Sequence, residues 1–289
     1  MTIDQHALLR SASRTFALSI ERLPGVVGDA MCLAYLLLRV SDFLEDNDYM
    51  PSERKLELLK LWDRVLAGDE PAEKLVAELA DHAPGDDPDA QVAALAGEVL
   101  AKVRALPVAV QTQMLVHVRD STQGMARWVA RGPDISVETD MDDYMHEVAG
   151  RVGYLVTDIF AWYSGFVRAR LNQLMPLARE FGLALQTVNV IRGLRKDYER
   201  GWIFVPESFC AAVNLRRTDL FKPEYQIQAL QVVDMVADKA EGHLQKALAY
   251  VMALPPGCTP CAWPVSGRCC SQCAPWPSAA RTSTCWWAR

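Results

Sequence analysis

The stretch Tyr35-Leu-Leu-Leu-Arg39-Val-Ser-Asp42-Phe-Leu-Glu45-Asp46 sets three carboxylates into an otherwise apolar run. With 3.6 residues per helical turn, positions 42, 45 and 46 share one face about 100° wide. Arg39 lies one turn earlier and Tyr35 nearly two, so a polar stripe continues along a helix whose other letters, including Met31, Leu33, Leu36, Leu37 and Val40, are apolar. A helix that is apolar nearly all round belongs inside a bundle. Its polar stripe then points to a polar cavity, and hard carboxylate oxygens suit a magnesium site with room left for phosphate. The alternative is a solvated helix end carrying an Arg39–Asp42 surface pair.

Helical spacing extends outward from this segment through most of the chain. Apolar residues recur every three or four positions up to Leu254, and no alternating strand of any length stands out. Helices are predicted near 4–22, 26–47, 52–67, 71–82, 88–105, 107–131, 137–164, 166–180, 182–199 and 226–253, with breaks at Pro, Gly or Asp/Asn clusters. No break is a long linker, so the expectation is one all-α domain, a single helical bundle over 1–254.

The 289 residues are 51% hydrophobic with a net charge of −6, which supports a real core and offers no basic surface for nucleic acid. The longest apolar stretch, 31–38, is too short to be a transmembrane segment, and the first residues lack a basic region before an apolar one. A cytoplasmic protein is expected. No Gly-x-Gly occurs, which removes the usual dinucleotide fingerprint and P-loop.

A second stripe, Gln186-Thr-Val-Asn189-Val-Ile-Arg192-Gly193-Leu-Arg-Lys196-Asp197, projects positions 186, 189, 193 and 197 along one face. Gln, Asn and Asp offer oxygens to a metal, and Arg192 and Lys196 offer charge to phosphate. Alone it reads rather as an amphipathic helix with a basic last turn. The two stripes together describe the halves of a diphosphate site on two helices.

On these residues the chain resembles the squalene and phytoene synthases, head-to-head isoprenyl diphosphate condensing enzymes, over residues 11–209. Ser13-Arg14-Thr-Phe16 is similar to the family's Ser-Arg-Ser-Phe segment, and 35–46 to its first aspartate-rich motif. Tyr144-Met-His146-Glu-Val148-Ala149-Gly150-Arg-Val152-Gly153 is similar to its Tyr-Cys-His-Tyr-Val-Ala-Gly-x-Val-Gly, and 186–206 to its second motif. The letters before Asp42 stand closer to the squalene branch. Two positions depart from the family: Gly193 stands where its second motif has the first of two acids, and Trp202 replaces an Arg of the following loop, leaving Arg200 as a candidate for phosphate.

The resemblance implies an isoprenoid-synthase-type helical bundle around a central cavity and the condensation of two farnesyl diphosphates through a cyclopropylcarbinyl diphosphate to squalene, with release of pyrophosphate. It implies Mg2+ held by Asp42, Glu45, Asp46 and Asp197, and NADPH as hydride donor if squalene is the product. Asp42 and Asp46 are thereby catalytic candidates. Ser13, Arg14, Arg39, Gln186, Asn189, Arg192 and Arg200 are the diphosphate-binding candidates. Tyr144 is the candidate for proton removal or cation steering, or else a tyrosine bonding a neighbour. His146 reads as structural. Ala149, Gly150 and Gly153 admit a close helix or a prenyl chain, and Phe16, Phe43, Leu155 and Phe160 supply the apolar wall or simply core. Partners are prenyl diphosphates, with peripheral membrane contact for product release. Alternatives are a phytoene or dehydrosqualene synthase, or a non-catalytic member acting as a binding or assembly factor.

The stretch 255–289 is a different text. It holds six of the eight cysteines, six prolines, no Leu, Ile, Met or Phe, and only Arg268, Arg281 and Arg289 as charges. Prolines forbid a long helix there. An irregular, non-native or frame-shifted tail is expected, with a zinc module on Cys258-x-x-Cys261 and Cys270-x-x-Cys273 as the competing reading.

Overall fold

The computed structural model describes residues 3–80 and 87–255. The expectations for 256–289 lie outside them. Within the described residues the protein is all-α with no strand. Its helices are α1 (Gln5–Ala12), α2 (Arg14–Ile20), α3 (Gly25–Asp46), α4 (Ser52–Ala67), α5 (Ala72–Leu79), α6 (Pro88–Ala94) and α7 (Ala96–Val103) in the first half. Then come α8 (Val108–Arg131), α9 (Glu138–Met145), α10 (Arg151–Tyr163), α11 (Gly165–Arg168), α12 (Leu171–Glu199), α13 (Glu207–Ala212) and α14 (Gln226–Ala253). No described helix is long and apolar enough to cross a membrane.

The long helices form the bundle. α3 runs through it and packs on α4, α6, α7, α8 and α10, as its nearly all-round burial requires. α12 lies between α10 and α14. One apolar cluster holds the body together around Leu36, Leu37, Leu59 and Trp62. A second gathers Trp128, Tyr144, Val190, Phe204 and Val232 beneath the ends of α9, α12 and α14.

Several boundaries differ from the sequence reading, each for a local reason. The span 4–22 is two helices because Ser13 turns extended (φ −155°) and caps α2, accepting the Phe16 amide at 3.2 Å. The span 88–105 breaks at Leu95, whose backbone leaves the helical region. Conversely, 166–180 and 182–199 are largely one helix: Gly182 is not a breaker but a crossing point. A Cβ at Gly182 would lie 2.2 Å from the Ala149 carbonyl oxygen, and one at Gly153 would lie 2.0 Å from that of Ala178, so α12 touches α10 and the turn before it backbone to backbone. Between α9 and α10 the chain makes one wide π turn, His146–Gly150. Such turns are often found at functional sites.

Candidate active site

α3, α9, α10, α12 and α14 enclose a cavity of about 450 Å³. One pole is ionic: Arg39, Asp42, Glu45 and Asp46 come from α3, and Lys196, Asp197 and Arg200 from the end of α12. The other is apolar, with Phe160 from α10, Phe181 from α12, and Tyr250, Val251 and Leu254 from α14 and its end. At 1.5 Å per residue, the helix between Phe181 and Asp197 spans about 24 Å. A second recess of about 320 Å³ adjoins the ionic pole and adds Asp48, Asp87 and Asp89 to its lining.

The ionic pole is short of compensating positive charge. Burial pushes Asp42 up to about 6, with Asp46 and Asp89 adding to the rise and Arg39 opposing it. Burial, then Asp46 and Asp42, hold the Glu45 carboxyl well above its ordinary value, although Lys55 opposes them and donates to the Glu45 backbone carbonyl at 2.7 Å. Asp197 is raised by burial against the pull of Arg200. Crowded carboxylates in a low-dielectric recess call for a cation. Arg200 supplies part of it: its guanidinium lies 2.5 Å from Asp197, 3.4 Å from Asp46 and 3.7 Å from Asp48, tying α12 to α3. Among the described residues no three His, Cys, Asp or Glu groups converge on one point. The all-carboxylate donor set fits a hard divalent ion, and the bridging arginine holds the two walls' acids on itself.

Arg39 is also engaged. It donates from Nε to Asp89 at 3.0 Å, pairs a second time with the same carboxylate, and reaches Asp42 at 3.1 Å. Tyr144 is buried in the wall, stacked on Phe204 at 4.5 Å and edge-on to Trp128 at 5.7 Å. Its hydroxyl donates to Glu45 at 3.4 Å. Burial raises the phenol well above its ordinary value, and Glu45, Asp46, Asp42 and Asp197 push the same way. That setting keeps the proton on oxygen, so it suits cation steering and disfavours proton removal by a phenolate.

Of the residues singled out in the sequence, Arg39, Asp42, Glu45, Asp46, Tyr144, Gln186, Asn189, Gly193, Asp197 and Arg200 all line this one cavity. Arg192 does not. It sits about 100° round the helix from Gly193 and its charge stays in solvent, while Lys196 lines the cavity. Ser13 caps α2 and bonds Tyr35 instead of joining the lining. The side chain of Arg14 lies outside what is described. Phe16 and Phe160 line the cavity, Phe43 lines the adjoining recess, and Leu155 is core. Ala149 and Gly153 line the cavity too, Gly153 also packs on α12, and Gly150 serves packing: a Cβ on it would lie 2.5 Å from His146 Nδ1. Trp202 tilts onto Phe204 at 5.8 Å, away from the lining. Sequence reasoning missed Asp89, Lys55 and Tyr250. The Asp-Asp-Pro-Asp run at 86–89 was the one signal for the first.

A family model described as squalene/phytoene synthase matches residues 9–268. The chain belongs to the squalene/phytoene synthase family. It is similar to the squalene synthase of Schizosaccharomyces pombe, 26% identical over 254 residues that make up 86% of this chain and 54% of that protein. To the squalene synthase of Mycosarcoma maydis it is 31% identical over 208 residues, 71% of this chain and 35% of that protein. The chain therefore spans about half or less of the length of these curated relatives. Among solved structures it is similar to TcSQS in complex with a ligand, with a TM-score of 0.72 and 24% identity over 87% of this chain and 71% of that one. That likeness carries the fold, an isoprenoid-synthase bundle in this family.

Proposed function

We propose that this prenyltransferase-family protein condenses two farnesyl diphosphates head to head, through a cyclopropylcarbinyl diphosphate, to squalene. The carrying observation is the two-pole cavity, ionic at one end and apolar at the other, with about 24 Å of α12 between Phe181 and Asp197. Asp42, Glu45, Asp46 and Asp197 are the residues that would hold Mg2+, which when bound makes pyrophosphate a better leaving group. Lys196 and Arg200, with Arg39, supply fixed positive charge where the departing diphosphate gathers negative charge. Gln186 and Asn189 orient its oxygens. The double bond of the second chain attacks the allylic cation, a proton leaves, and the cyclopropyl product forms with loss of one pyrophosphate. Loss of the second pyrophosphate and rearrangement leave a cation, and NADPH would supply the hydride for it if squalene is the product. The stacked Tyr144 and Phe204 offer ring faces to these cations.

One observation favours a second reading, a non-catalytic member that keeps substrate binding: Gly193 adds no oxygen to the cavity wall it lines. Labelled farnesyl or geranylgeranyl diphosphate with magnesium, with and without NADPH, tests both. Magnesium-dependent pyrophosphate release with squalene formed only with NADPH is expected. Binding without any hydrocarbon product supports the second reading, and neither binding nor product overturns both.

A further inference from the structure

All prenyl diphosphates look alike at the ionic pole, so chain length has to be read at the apolar one. There Tyr250 of α14 is buried, touching Thr157 of α10 and Phe181 of α12. Its hydroxyl lies 2.8 Å from Thr157 Oγ1, and Thr157 in turn donates to the Gly153 carbonyl at 2.8 Å. A threonine hydroxyl has one proton. That proton goes to Gly153, so Tyr250 is the donor of the Tyr250–Thr157 bond. The phenol is thereby satisfied by protein, and what lines the cavity is its carbon ring. Phe181 meets that ring at 5.6 Å and 51°.

The bond matters because it fixes position as well as satisfying a polar atom. Phe160, Val251 and Leu254 line the same end, held by packing alone. Tyr250 is bulky, tied to α10 by a hydrogen bond, and lines the same cavity as the acids of the ionic pole. We propose that Tyr250, locked by Thr157, is the wall residue that limits the length of prenyl chain the cavity admits. The inference rests on the prenyl diphosphate reading above and names the residue that gives it selectivity.

The test is calorimetric binding of the unreactive thiolodiphosphate analogues of farnesyl and geranylgeranyl diphosphate, with magnesium, to the full chain. Wild type is expected to favour the farnesyl analogue by about tenfold or more, the discrimination a pocket wall exerts on added methylenes. Tyr250→Ala is expected to bring the ratio within about threefold or to reverse it. Tyr250→Leu provides a milder opening should the alanine variant fail to give a cooperative melt. Tyr250→Phe and Thr157→Val keep the bulk and remove the lock, and an intermediate ratio is expected for each. An unchanged ratio in a folded Tyr250→Ala or Tyr250→Leu variant overturns the inference and leaves the prenyl diphosphate reading standing. Binding of neither analogue to wild type overturns that reading and the inference with it.

Discussion

Arg200→Gln should tighten divalent-metal binding in the absence of substrate. The guanidinium bridges Asp197 and Asp46, one acid from each wall, so an incoming ion must displace it or sit beside it. A divalent ion roughly 5 Å from a guanidinium, at an effective dielectric constant near 40, feels about 3 kcal/mol of repulsion. Solvent reduces this, because Asp46 is 61% exposed and Arg200 20% exposed. About 1.5 kcal/mol is a fair remainder, which is roughly tenfold in Kd. Glutamine keeps most of the side chain's bulk and removes the charge. Manganese titration followed by electron paramagnetic resonance reads the affinity without turnover. The same variant should bind pyrophosphate more weakly in the presence of magnesium, since the arginine is then lost from the anion. Unchanged or weaker manganese binding by a folded Arg200→Gln protein would refute the reasoning, because the arginine would not be competing for the acids.

Four further outcomes are expected. Asp42→Asn and Asp46→Asn should each lower turnover by about 10² or more at saturating magnesium while the far-ultraviolet spectrum stays unchanged; near wild-type turnover would remove the metal role. The same Asp42 bears on stability: its pKa is raised from 3.8 to about 6 in the fold, so the folded protein keeps a proton that the unfolded chain releases. That contribution is complete below about pH 4 and is lost as pH rises through 6, roughly 1–2 kcal/mol after allowing for its partial exposure. Metal-free wild type should therefore lose more stability than Asp42→Asn between pH 4.5 and 7.5 in denaturant melts, and parallel curves would sink the assignment. Gly193→Asp should fold, since a Cβ there meets only the Asp197 carboxylate at 3.0 Å, and should bind manganese at least about threefold tighter by adding a carboxylate; an unchanged titration would show that the position does not reach the ion. Gly153→Ala should cost about 1–3 kcal/mol, because its Cβ would lie 2.0 Å from a backbone oxygen that can move only if α12 moves; a melt within 0.5 kcal/mol of wild type, on the scale of about that size expected for surface changes, would contradict the crossing described.

What could be read from the sequence was whatever repeats at helical spacing on one element. The acids of α3 and the polar positions of α12 share faces by arithmetic, and both faces line one cavity. Features that depend on two elements meeting were hidden. Asp89 is 50 residues from Arg39, and nothing in either neighbourhood announces their pairing. Tyr250 is one aromatic letter on an amphipathic helix until Thr157 and Phe181 arrive beside it. Gly182 carries the letter of a breaker and acts as a contact, because the missing side chain lets a neighbouring backbone approach.

The two arginines named for phosphate part company in the fold. Arg39 and Arg192 both sit beside the acids in sequence, and a sequence argument gives each the same duty towards phosphate. In the fold Arg39 lines the cavity while paired with Asp89 and Asp42, Arg192 is in solvent, and Lys196 and Arg200 line the same cavity. A cation near a carboxylate in sequence can be neutralised by it, ignored by it or poised against it; which of these holds is decided by burial and by a third charge. Here that third charge is counted in acids: Asp42, Glu45, Asp46 and Asp197 around one cavity mouth, with Asp48, Asp87 and Asp89 adjoining. Burial is the first reason Asp42 and Glu45 titrate high, and the neighbouring acids, which outnumber Arg39, Lys196 and Arg200, add to it. The deficit is what a divalent ion and its bound diphosphate would meet, and it persists although Gly193 contributes no acid of its own.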